Sequence, residues 1–261
     1  MNTLTLLAII LFVLMAWIGG KKGIKSFIAL FINFLILILT VIIMNDPNAP
    51  PVLLTIIACG LISAVSLFFI NDVNNKTVLA FFSTIVTIVG LIFFIIIMTE
   101  QSMIHGFGEE ESDELTIYSV HIGLNFVQIA SSVIIMSTIG AIVDTAISIT
   151  SPMREIREQN PDISRKDLFL AGIHIGRDIL GTSTNTLFFA FFGGYMGLII
   201  WFKDLDYSLG DIVNAKVFSD EMITILTSGM GVALVIPVAA AMSAYYLTRE
   251  KTKEIDEHPK K

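Results

Sequence analysis

The chain has 261 residues, of which 54% are hydrophobic and only 15% charged; its mean hydropathy is +0.80 and its net charge −7. That composition excludes a soluble globular protein, and no solvated stretch is long enough to fold into the basic domain that nucleic-acid binding needs. The single cysteine, Cys59, lies in an apolar run, which excludes a disulfide-stapled exterior.

Four runs without a formal charge open the chain: 3–19, 26–44, 52–70 and 77–99, of 17, 19, 19 and 23 residues. A bilayer core about 30 Å thick needs roughly 20 apolar residues per helix, so each run has the length of a membrane span. No positive charge precedes the first run, and Lys21, Lys22 and Lys25 follow it. A cleaved signal peptide has the reverse order, so this run is expected to stay as a helix with its N-terminus outside. Three further runs cover about 117–143, 184–202 and 222–247. The expected fold class is therefore all-α, a polytopic transmembrane helix bundle of about seven spans, with the N-terminus outside and the C-terminus cytoplasmic.

Charge placement supports that orientation. Of the 16 Lys and Arg residues, 14 fall on inner connections and only Lys203 and Lys216 on outer ones, the positive-inside pattern. The acids divide as 12 outside and 10 inside, with Asp144 left between, so the outside nets −10 and the inside +4. Residues 1–116 read as a scaffold of four apolar spans ending in an acidic outer loop; their Ser and Thr can bond to their own helix backbone. Residues 117–261 hold three spans, a cytoplasmic amphipathic connection at 150–183 and a basic cytoplasmic tail at 248–261.

Two outer segments carry clustered acids. His105, Glu109, Glu110, Glu111, Asp113 and Glu114 could attract a divalent cation or form a solvated loop. The run from Asp204 to Asp211 fails as a calcium loop, because Leu209 occupies the turn position that needs glycine and Ala215 the position that needs a bidentate acid. No metal site and no cofactor are expected. On the inner connection, Ser151 and Pro152 suit the start of a short helix that Asn160-Pro161 stops. Ser164 with Asp167 suits the start of a second, whose Leu168, Ala171, Ile175 and Ile179 form an apolar stripe for the inner membrane surface or a partner.

Asp144 is the sharpest functional candidate, because an acid at membrane depth is costly and usually faces a protein interior or a water-filled path. At 100° per residue, Ser137, Asp144, Ser148 and Ser151 share a face about 60° wide. An outer polar group of His121, Asn125, Gln128 and Ser132 is equally narrow but points about 140° away. The other reading of Asp144 is an interfacial acid paired with Arg154 or Arg177. A second candidate is Arg177 and Asp178 followed by Thr182, Thr184, Asn185 and Thr186, read as a helix entrance whose N–H groups would favour an anion, or as ordinary capping. Gly193 with Gly197 and Ala190 with Gly194 are small pairs suited to close packing. In the last span, Gly231 and Pro237 are a candidate hinge or a static bend.

Several motifs resemble those of the YibE/F-like family of bacterial membrane proteins: Gly140 to Ser148, Gly176-Arg177-Asp178 with Gly181 to Thr186, Phe192-Gly193-Gly194, and Ile236-Pro237. They cover about the last 120 residues, while the first four spans match in hydropathy alone. The resemblance implies a multi-pass protein of the bacterial cell membrane, described as a permease, with no established substrate. Longer members carry an extra N-terminal extracytoplasmic portion, which leaves room here for a homologous membrane subunit.

The expected function is a transport permease or the membrane subunit of a transporter. No phosphate-binding loop is present, so any ATP-driven cycle needs a separate ATPase. The alternative is a non-transporting receptor, assembly factor or scaffold. Intramembrane hydrolysis is disfavoured, because no metalloprotease or serine motif occurs, and the chain is not expected to be an enzyme.

Overall fold

The computed structural model describes residues 2–102, 104 and 125–257, the last eight as backbone only. Among these residues every regular element is a helix. Such apolar runs have no water in a bilayer to satisfy their backbone groups, and a helix satisfies them internally.

Helix α1 (Thr3–Met44) is broken at Gly20, whose φ of 54° and ψ of −133° suit glycine alone. The chain doubles back there, so that the Phe12 and Phe27 rings lie 5.0 Å apart. Gly23 sits against the Met15 carbonyl, where no Cβ fits. α2 (Pro51–Ala64) starts on Pro51 and continues through a π turn at Val65–Phe69. α3 (Asn75–Ser102) follows a tight turn in which Asp72 has φ 60° and the Asn74 side chain accepts from the Thr77 N–H at 3.1 Å.

α4 (Phe126–Gln159) is capped by Asn125, and α5 (Arg165–Gly194) by Ser164, whose hydroxyl accepts from the Asp167 N–H at 3.1 Å. α5 leads into α6 (Met196–Asp204) across a 53° bend at Tyr195. The short α7 (Leu209–Asn214) has a Ser208–Asp211 capping box, and α8 (Lys216–Glu257) is the last described element.

α4 lies at the centre, flanked by α3 and α8, with α5 packed on α8. Ile135, Ile139, Ile142 and Ala146 of α4 meet Ile88, Leu91 and Ile95 of α3 and Val235 of α8. A second cluster joins Ile149 and Met153 to Leu168 of α5 and to Ala239 and Ala240 of α8. Small residues let these helices approach. A Cβ built on Gly231 would fall 2.9 Å from Ile142 Cδ1 and from Thr138 Cγ2; one on Gly172 would fall 2.6 Å from Met153 Sδ; Gly176 is filled by Ile236. Most buried hydroxyls donate to the carbonyl one turn back, as Thr55, Ser63, Ser83, Thr87 and Thr145 do. Thr138 and Ser228 also bond to each other across the α4–α8 contact at 3.1 Å.

α1, α2 and α3 turn Leu, Ile, Val and Phe outward, as a lipid-facing surface does. Among the described residues five helices are long and apolar enough to cross a membrane, or six with the bent α5–α6 pair counted as one. α1 doubles back at Gly20, so the first two apolar runs lie on its two arms, whereas the sixth run, 184–202, straddles the α5–α6 bend. Bonds also tie the basic segments together at one end of the bundle: Lys25 to Asp72 at 2.7 Å, Lys76 to Ser151 at 3.3 Å, Arg157 to the Leu247 carbonyl at 3.2 Å and Arg165 to Thr248 at 3.2 Å.

The structure departs from the sequence reading in the second half of the chain. Ser151 and Pro152 do not start a helix but lie inside α4, which runs on to the expected stop at Asn160. No separate surface helix precedes the sixth run, because α5 is continuous from Arg165 to Gly194. Its apolar stripe is covered by α4 and α8 of the same chain, where Leu168, Ile175 and Ile179 join Ile149, Met153, Ile236 and Ala240. The tail from 248 continues as helix to Glu257. The expected start of the fifth run at 117 and the acidic loop at 109–114 lie outside the described residues.

Candidate functional site

Along α4, Val133, Ser137, Gly140, Asp144 and Ser148 recur at three- and four-residue steps, and all are exposed. They form one open stripe on the side of α4 that neither α3 nor α8 covers, with Ser151 half-buried at its lower end. The Asp144 carboxylate has no hydrogen-bond or ion-pair partner among the described residues. Arg154 turns instead to Glu158, at 2.7 Å, and Arg177 makes no bond to Asp144.

Above Asp144 the stripe opens into a cavity of about 580 Å³ between the second arm of α1, α2 and α4. Its walls are mostly apolar, including Leu37, Val41, Ile129 and Met136, and Ser137 and Val133 of the stripe belong to its lining. The space beside Gly140 is open, since a Cβ there would meet nothing within 4 Å. Below Asp144, Pro152 has no N–H, so the Ser148 carbonyl lacks its helical donor. One turn further down, the Lys76 ammonium donates to Ser151 Oγ. From the cavity downwards the stripe presents in order an apolar chamber, the Ser137 hydroxyl, the Asp144 carboxylate, the Ser148 hydroxyl and carbonyl, and the Lys76 ammonium. The Lys76 contribution was not legible in the sequence, where that residue counted only towards topology.

α5 places the second candidate set differently from expectation. Arg177, Asp178, Thr182, Asn185 and Thr186 are exposed, and Thr184 is half-buried beside Gly229 of α8. The run from Gly181 to Thr186 is not a helix entrance: it lies inside α5, where the backbone N–H groups are already used by the helix. The hydroxyls of Thr182, Thr184 and Thr186 donate to the carbonyls of Ile179, Leu180 and Thr182. The anion site built on free N–H groups is therefore absent from this run.

The contacts also fix heights. Gly231 of α8 meets Ile142 of α4, and Ile236 of α8 meets Gly176 of α5. Following both pairs along their helices brings Asp178 to the level of Asp144 within about one turn. Arg177 stands about 18 Å of helical rise beyond Arg165, at 1.5 Å per residue. The Arg-Asp pair thus belongs to the depth of Asp144 instead of the basic end.

The remaining candidates scatter. His121 lies outside the described residues. Asn125 is not part of a helical face: it precedes α4 and accepts from the Gln128 N–H at 3.3 Å. Gln128 is exposed and, with Glu100 and Ser131, borders a second cavity of about 430 Å³. Gly231 is tightly packed, which argues against a free hinge there, and Pro237 lies exposed within an unbroken α8. Gly193, Gly194 and Gly197 have open space beside them; close packing falls on Gly172, Gly176 and Gly231. At the α5–α6 bend, Tyr195 donates to Glu221 Oε1 at 2.6 Å, a contact the sequence did not signal.

Outside the spans, two carboxyls are held below the usual carboxylate range. The Lys25 hydrogen bond and charge do this for Asp72, and the Ser208 hydroxyl and N–H for Asp211. Among the described residues no group of three or more His, Cys, Asp or Glu could hold a metal ion.

A model of the YibE/F-like protein family matches residues 7–249, so the similarity extends through the first four apolar runs as well as the motifs of the last three. No curated protein and no solved structure matches the chain.

Proposed function

The chain belongs to the YibE/F-like family and is an integral membrane protein, and from that footing we propose that it is a transport permease, alone or as one membrane subunit of a transporter. The observation that carries this reading is the unpaired Asp144 on an open stripe of α4, continuous with an apolar cavity above and with Ser148, Ser151 and Lys76 below. A lone carboxylate at membrane depth marks a solute, ion or proton path more often than a structural contact. The basic end of the bundle is cytoplasmic by the positive-inside rule, giving seven spans in a bacterial cell membrane with the N-terminus outside. The chain moves its solute without covalent chemistry of its own; energy comes from an ion gradient or from a separate ATPase, and a homologous subunit can complete the complex.

The test is flux in proteoliposomes against a panel of labelled cations, anions and amphiphiles. The reading expects one class to move through the wild-type protein and to be lost with Asp144→Asn. If no class moves faster than in protein-free vesicles, the permease reading fails. A second reading, a scaffold or receptor for another membrane protein, draws support from the exposed polar face of α5. Purification in mild detergent separates the two, since a scaffold retains a stoichiometric partner of different sequence.

A further inference from the structure

The face of α5 turned away from the bundle is unlike the apolar outward faces of α1, α2 and α3. On α3 the exposed positions Phe82, Val86, Val89 and Phe93 suit lipid. On α5 the exposed positions include Arg177, Asp178, Gly181, Thr182 and Asn185. Among the described residues the side chains of Arg177, Asp178 and Asn185 have no hydrogen-bond or ion-pair partner within the chain. Arg177 and Asp178 stand near the depth of Asp144 and Asn185 about 10 Å further along α5, and unpaired charges and amides within a span are expensive. Among the described residues α5 packs through the opposite side, where Leu168, Gly172, Gly176 and Phe191 are buried.

We infer that a second copy of this chain covers this face, α5 against α5, about a two-fold axis along the bundle. A two-fold contact requires a surface complementary to itself. Arg177 and Asp178 are adjacent and opposite in charge, so each copy's Arg177 meets the other's Asp178 at the same depth. The Asn185 amide carries both donor and acceptor and pairs with its twin. One turn below it, Gly181 leaves the backbone bare, with nothing within 4 Å of a Cβ, so the two helices approach closely. This dimer is independent of the transport reading: it forms whether or not a solute moves.

Cys59 is the only cysteine, so a Cys59→Ala background allows single-cysteine scanning in native membranes. Gly181→Cys and Asn185→Cys are expected to give oxidant-induced disulfide dimers, and Val89→Cys on the lipid-like face of α3 is not. With the reporter at 185, Arg177→Asp is expected to lower the dimer yield at least tenfold, and Arg177→Asp combined with Asp178→Arg to restore it. The inference is overturned by no dimer at 181 and 185, by equal yield at 89, by cross-linking to a different protein, or by a double exchange that fails to restore a yield the single change has lowered.

Discussion

Phe12 and Phe27, fifteen positions apart and one in each of the first two apolar runs, hold their rings 5.0 Å from each other. In a straight helix they would be about 22 Å apart, at 1.5 Å per residue. The reversal depends on Gly20, whose positive φ is strained for any residue with a Cβ. Gly20→Val is therefore expected to destabilise the protein by about 1–3 kcal/mol. Gly19→Ala, beside it in open space and with ordinary backbone angles, is expected to be near neutral. Thermal unfolding midpoints of the purified variants in one detergent check this, and equal losses at both positions would contradict it.

The bundle's close contacts predict which glycines tolerate a side chain. Gly176→Leu and Gly231→Leu must push Ile236 or Ile142 aside and are expected to cost about 1–3 kcal/mol or more through overpacking. Gly140→Ala and Gly193→Ala, each with nothing within 4 Å, are expected to leave stability unchanged or slightly raised. Unfolding midpoints again decide, and the ranking of the four variants is the prediction.

Asp144→Asn keeps the size and polarity of the side chain while removing its charge. On the permease reading, solute flux falls tenfold or more, about 1.4 kcal/mol of barrier, at unchanged expression and unfolding midpoint. Asp144→Glu retains a measurable part of the flux. Normal flux through Asp144→Asn would remove this carboxylate from the mechanism.

The Lys25–Asp72 bridge predicts a local response to acid. Because the Asp72 carboxyl lies below its ordinary range in the folded protein, its contribution is fully present above the unfolded value and is lost as the pH falls through the lowered folded value. The local opening of residues 20–25 and 70–76, read as hydrogen exchange corrected for its intrinsic pH dependence, is expected to stay constant from neutral pH to about pH 5 and to rise below the ordinary aspartate pKa of about 3.9. Asp72→Asn should flatten that rise. Both groups are exposed, so the global unfolding midpoint is expected to move little.

Run lengths were enough to establish the all-helical membrane class, because the energy of apolar residues in a bilayer depends on local composition and scarcely on neighbours. The phase of α4 was legible too: Ser137, Asp144 and Ser148 share a face because helical periodicity is a local property. Which way that face turns was not. Its exposure depends on α3 and α8 covering the other sides of α4, and the heights of Arg177 and Asp178 depend on where Gly172 and Gly176 settle on α8. The same limit explains the glycines, since Gly193 and Gly197 have the spacing of a packing motif while Gly172, Gly176 and Gly231 have the neighbours. Spacing fixes what a helix can present, and the fold decides what it meets, because close contact between helices is a property of pairs that no single stretch of sequence contains.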